Sequence, residues 1–279
     1  MKIKHKGISI AVLALVLAAC GGGGSSTGSS SAATQTTTPQ TPTQTNTDWT
    51  YQGSAPTVNG VNGLVAVVLV PDTLTGNSLS GTAFTASNGP LASQVQQSNY
   101  GGAFTTIASS SLAVSLTKGS TIADINGAGG YVAIGRWTHG SDSSGGNYTA
   151  DQGAHYAVGT PLTLTPGIGT LSCTNLMDTA PTSATGSVAP GSLVSATATL
   201  DLATLNLTNF SATVTIGADT AATFTKASAS SSGSAMGGGV ALMTRLMGND
   251  SAKPLVAVAY GAKLTNTGDI NGLVVLSCQ

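Results

Sequence analysis

In the second half of the chain, apolar and polar residues alternate with the two-residue period of a β-strand. Val194, Ala196, Ala198, Leu200 and Leu202 fall on one side, and Ser195, Thr197, Thr199 and Asp201 on the other, as in a strand with one buried face. Phe210, Ala212, Val214 and Ile216 repeat the pattern on even numbers, whereas Leu205 and Leu207 are odd. A one-residue slip turns every later side chain to the opposite face, so a bulge or turn is expected near Thr208–Asn209. Further strands are predicted at 131–137, 154–158, 168–175, 221–226, 239–245, 255–261 and 270–277. Eight to ten short antiparallel strands with brief turns favour a closed barrel, which leaves no exposed edge. The expected fold is all-β: a soluble, antiparallel, up-and-down barrel of about eight strands over residues 130–279.

Residues 48–129 read as an N-terminal β segment with long loops. Gly63–Val70 (GLVAVVLV) is a continuous apolar strand ended by Pro71, 112–116 is another candidate, and a polar stretch holding Gly101-Gly102 lies between them. After Cys20, residues 21–47 are mostly Gly, Ser, Thr, Gln and Pro with no large apolar side chain. Such a stretch cannot form a core and is expected to be a disordered tether. Ahead of it, Lys2, Lys4, His5 and Lys6 precede an apolar run from Ile8 to Leu17. That run is shorter than the roughly 20 residues a membrane-spanning helix needs, and fits the core of a secretory signal over 1–19. Leu17-Ala18-Ala19-Cys20 resembles the lipobox of bacterial lipoproteins, which implies cleavage before Cys20 and lipid on its thiol. Gly21 follows, and the same resemblance implies sorting to the outer membrane.

Composition narrows the picture. All 10 acidic residues are Asp, and the cations beyond the signal are Lys118, Arg136, Lys226, Arg245, Lys253 and Lys263. Six cations against ten aspartates leave the mature part at −4, with no basic footprint for nucleic acid. The 12 aromatic residues are too few for the two interfacial girdles of a membrane-spanning barrel. With Cys20 assigned to lipid, Cys173 and Cys278 remain. They are expected to pair as a disulfide joining strand 168–175 to the last strand, because both follow Leu-Ser at a strand end; two buried free thiols are the alternative.

Several segments resemble the β-barrel domain of transferrin-binding-protein-like surface lipoproteins. These are Gly135-Arg136-Trp137, the run Ala154 to Pro161, the strands from Ser195 to Ile216, Gly237-Gly238-Gly239, Leu246 to Ala252, Val256 to Gly261 and Ile270 to Val275. The chain departs from the family's usual ending by lacking its Pro and the aromatic before it. The resemblance implies a soluble eight-stranded barrel with a ligand-capture role, not an enzyme. It transfers no binding residue.

Candidate chemistry is sparse. His139 and His155 flank the polar loop HGSDSSGGNYTADQGAH, which also holds Asp142 and Asp151. Their spacing matches no metal-loop pattern, and a solvated hairpin with two surface histidines is the simpler reading. Arg136 beside Trp137 is a candidate for cation–π stacking on a ligand or for packing at the barrel mouth. Gly24-Ser25-Ser26-Thr27-Gly28 mimics a nucleophile elbow but lacks the strand and helix that one requires. Ser115 and Lys118 match S-x-x-K with no partner motif. No cofactor or catalytic set is expected. The predicted role is an outer-membrane lipoprotein that binds a macromolecular partner, a host or carrier protein, through barrel loops. The alternatives are a binder of a small apolar ligand in the barrel interior and an envelope-structural lipoprotein.

Overall fold

The structure, a computed structural model, describes residues 43–45 and 48–279. The signal 1–19, Cys20 and most of the expected tether lie outside the described residues. Among the described residues there is no helix. The first twelve strands are β1 (Thr43–Thr45), β2 (Thr50–Gly53), β3 (Leu64–Val70), β4 (Thr82–Ser87), β5 (Gln96–Gln97), β6 (Phe104–Ala108), β7 (Ala113–Ser115), β8 (Thr121–Ala128), β9 (Val132–Thr138), β10 (Gly140–Ser141), β11 (Asn147–Tyr148) and β12 (Ala154–Gly159). The next nine are β13 (Thr170–Asp178), β14 (Thr182–Ser183), β15 (Ser192–Asp201), β16 (Asn206–Ile216), β17 (Asp219–Ser230), β18 (Ser234–Gly237), β19 (Val240–Met247), β20 (Leu255–Lys263) and β21 (Asp269–Cys278).

The C-terminal strands form a sheet in the order β17-β16-β15-β13-β21-β20-β19-β18. This is an antiparallel meander curled back until β21 pairs with β13, a nearly closed eight-stranded barrel. Its seam lies between β17 and β18, where Lys226 Nζ donates to the Gly237 carbonyl at 2.9 Å. Leu200, Leu207, Phe210, Phe224 and Tyr260 fill the interior. Cys173 and Cys278 stand opposite each other in the β13–β21 register and are disulfide-bonded, as the sequence predicts.

The slip expected near Thr208–Asn209 is present. β16 is one strand with a register shift there, and Asn209 takes a left-handed φ of 53°. Leu207 and Phe210 therefore both point inward. A second shift was not foreseen. Between Leu193 and Ser195 the register of β15 slips, and Val194, expected to face inward, is 59% exposed.

The barrel begins later than the sequence suggests. β9 and β12, expected inside a barrel starting at residue 130, belong to a separate seven-stranded sheet ordered β1-β2-β8-β9-β12-β3-β4. That sheet is antiparallel except between β2 and β8. β1 lies within the stretch expected to be tether and pairs with β2. One face of the sheet, with Tyr51, Trp137 and Tyr156, packs with the small sheet β5–β7. The other carries Ala66, Val68, Ile134 and Ala157 and packs on the outside of the barrel, against Met243, Met247, Ala257, Ala259, Leu273 and Val275. Strands caught between two cores are apolar at nearly every position, which explains the continuous run of β3.

Candidate functional site

The loop between β9 and β12 is where the sequence concentrates its chemistry, and it is a folded unit. Asp142 organises it. Its Oδ1 accepts from the Ser144 amide at 2.7 Å, the Ser144 hydroxyl at 2.6 Å and the Gly146 amide at 3.2 Å, while Oδ2 accepts from the Tyr148 hydroxyl. Asx-type bonds of this kind substitute a side chain for backbone pairing in tight turns. Burial, then the bond to Asp142, push the Tyr148 pKa well up. A Cβ at Gly146 would lie 2.5 Å from the Tyr148 hydroxyl and 2.6 Å from Asp142 Oδ2, so only glycine allows this closure. The loop is anchored outward as well: the Thr117 amide donates to Ser141 O at 2.8 Å and the Ser143 amide to Ser115 O at 2.9 Å.

At the base of the loop Arg136 is buried. Its Nε donates to Asp124 Oδ2 at 2.7 Å and its Nη1 to the Gln152 carbonyl at 3.3 Å. Asp124 sits at a bulge in β8 with φ of 57° and also accepts from the Ala180 amide at 3.1 Å. The guanidinium is thus consumed by structure. Its neighbour Trp137 points to the opposite face, is fully buried beside Phe104 and Tyr156, and donates Nε1–H to the Phe104 carbonyl at 2.8 Å. The expected Arg136–Trp137 unit at a barrel mouth is therefore corrected: successive residues on a strand face opposite ways, and this strand is not in the barrel.

The two histidines also part company. His139 is exposed, at a left-handed φ of 47°, on the rim of the loop. On one side of it lies a shallow cleft of ≈ 650 Å³ formed with Tyr148, Thr149 and Asp151. On the other is a cleft of ≈ 430 Å³ formed with Gln52, Thr121 and Arg136. His155, expected on the surface, is fully buried in β12 between sheet and barrel. Its Nδ1 is 2.7 Å from Thr179 Oγ1, and its Nε2 is 3.0 Å from both Thr182 Oγ1 and Asn271 Oδ1. Asn271 donates Nδ2–H to the Asp72 carbonyl at 2.7 Å, which makes its Oδ1 the acceptor facing the ring. The partners thereby assign the proton of a neutral imidazole to Nε2. Burial, then the nearby Arg136 charge, push the His155 pKa down to about 3.

His139 and His155 do not form a common site, and among the described residues no three His, Cys or acidic side chains gather as metal ligands. Lys118 of the S-x-x-K match bonds Asp48 at 2.9 Å. Sequence reasoning missed the organising role of Asp142, although the run Asp142-Ser143-Ser144-Gly145-Gly146 carries the composition of an Asx turn. No family model, no curated protein and no solved structure matches the chain.

Proposed function

We propose that the chain is a non-enzymatic lipoprotein, anchored to the outer membrane through Cys20, that binds a macromolecular partner through the 139–152 loop. The observation that carries this reading is the internal bonding of the loop by Asp142 beside two clefts that meet at His139. A loop held in one shape loses little entropy when a partner docks on it. The loop joins β9 to β12 in the middle of the seven-stranded sheet, so in this reading the binding surface moves from the barrel loops to the strand ends of that sheet. The packed barrel interior favours this surface over a lumenal apolar ligand, because Phe210, Phe224 and Tyr260 already occupy the space. The lipobox residues Leu17 to Cys20 support the anchor.

Affinity capture from host or environmental fluids tests the binding, with His139→Ala and Asp142→Ala as controls. A partner held by the native chain and released by both variants supports the reading. A partner held equally by all three removes the loop from it. Uptake of labelled palmitate by the native chain but not by Cys20→Ala tests the anchor, and protease treatment of intact cells tests surface exposure.

A further inference from the structure

A third cleft, remote in sequence from the 139–152 loop, is built beside a cation with no counter-charge among the described residues. Lys118 and Arg136 are paired with Asp48 and Asp124, and Lys226 spans the barrel seam. Arg245 projects from the outer face of β19 and is half-buried, and its hydrogen bond is to the neutral hydroxyl of Thr85. Among the described residues no carboxylate lies within ion-pair distance of it. Burying a charge without a partner is costly, and burial pulls the Arg245 pKa below its ordinary value with nothing opposing it.

Arg245 lines a cleft of ≈ 330 Å³ between the Ser230–Ser232 turn and the segment that crosses the barrel end at Leu162 and Leu164. The turn is pinned. The Gly233 amide and the Thr244 carbonyl bond at 3.1 Å, Thr244 Oγ1 donates to Ser230 O, and the Leu246 amide donates to Ser232 Oγ at 3.1 Å. Because Ser232 accepts from that amide, its own proton remains to be given to a ligand. Leu162, Leu164, Leu205 and Leu246 supply apolar lining in the same cleft.

We propose that this cleft binds a small aliphatic carboxylate, its anionic head on Arg245 and Ser232 and its chain along Leu162, Leu164, Leu205 and Leu246. The guanidinium fork suits a carboxylate bidentately. One cation balances a monoanion, whereas a phosphate dianion lacks the second charge it needs. The cleft volume lies at the small end of the range for ligand pockets, and its wall sets four leucines beside Thr163, Thr204, the Ser230–Ser232 turn and Arg245.

Isothermal titration of the purified full-length chain with hexanoate, 1-hexanol and inorganic phosphate tests this. Hexanoate is expected to bind, with hexanol and phosphate at least about tenfold weaker, and R245K is expected to weaken hexanoate about tenfold because an ammonium cannot reproduce the fork. S232A should weaken it several-fold. Circular dichroism verifies that both variants fold, and S232A decides alone if R245K does not. Absence of hexanoate binding, hexanoate binding unchanged by the folded variants, or phosphate bound as tightly as hexanoate each overturns the proposal.

Discussion

The two halves of the barrel are cut from one sheet and obey opposite rules. In β16 and β17 the outward positions include Ser211, Thr213, Thr215 and Thr223, and Thr213 and Thr223 share a hydroxyl bond at 2.9 Å between these neighbouring strands. In β19, β20 and β21 the outward positions include Met247, Ala257, Leu273 and Val275, all buried. The open half is left uncovered by the described residues, while the covered half meets the N-terminal sheet. Alternation therefore reports what lies outside a strand as much as which way the strand faces, and its loss marks where a second layer sits.

The largest test of this division lies at its border. The Cys173–Cys278 bridge joins β13 of the open half to β21 of the covered half and closes a loop with a sequence separation of 105. Replacing both cysteines by Ala should cost about 4–5 kcal/mol by the loop-entropy relation, read from urea denaturation. A loss under about 1 kcal/mol would mean that the halves hold together without it. Next, Leu273→Ala in the covered half should cost about 2–5 kcal/mol, while Val194→Ala on the open half should stay within about 0.5 kcal/mol. Similar losses at both positions would erase the distinction.

A third test uses His155, which bonds across the sheet–barrel boundary. Its folded pKa of about 3 lies below the unfolded value of about 6.5. The folded state thus binds fewer protons between those values, and stability falls as pH drops through this window. The His155-dependent part should reach about 2 kcal/mol by pH 5. His155→Gln should be less stable than the native chain at pH 7 yet lose less between pH 7 and pH 5. Parallel losses in the two proteins would show that the imidazole is not the group titrating.

The smallest effects come from a device that both sheets use. Tyr156 lies over Gly135 on the neighbouring strand, and Tyr260 lies over Gly272. A Cβ on either glycine would come within 2.3 or 2.4 Å of the tyrosine hydroxyl. The two differ in their finish: the Tyr156 hydroxyl accepts from the Phe104 amide at 3.1 Å, while the buried Tyr260 hydroxyl has no hydrogen-bond partner among the described residues. Tyr156→Phe should therefore cost about 1–3 kcal/mol by orphaning a buried amide, and Tyr260→Phe should be neutral or stabilising. Equal costs in thermal unfolding would remove the asymmetry.

What was legible in the sequence followed from period and pairing. The barrel strands, the slip at Asn209 and the disulfide all leave local marks. The covering sheet was hidden because β4 (TAFTAS) and β8 (TIADINGA) mix Thr, Ser, Asp, Asn and Gly into strands, and because β3 pairs with β12, far along the chain, as well as with its neighbour β4. Of the candidate site residues, His139 keeps its predicted exposure. His155 does not, since its partners Thr179, Thr182 and Asn271 lie up to 116 positions away, beyond the reach of any motif.

β21 follows the other barrel strands in the chain and lies in the middle of the barrel sheet, between β13 and β20. Its outer face also fills the contact with the covering sheet. As the chain emerges from its N-terminal end, neither the barrel nor the underside of the covering sheet can be completed until residue 278 is present. Pairings over such separations are slow to form. Barrel closure therefore waits for β21, and the bridge to Cys278 records that it has happened: a chain stopped before residue 278 cannot form the bond.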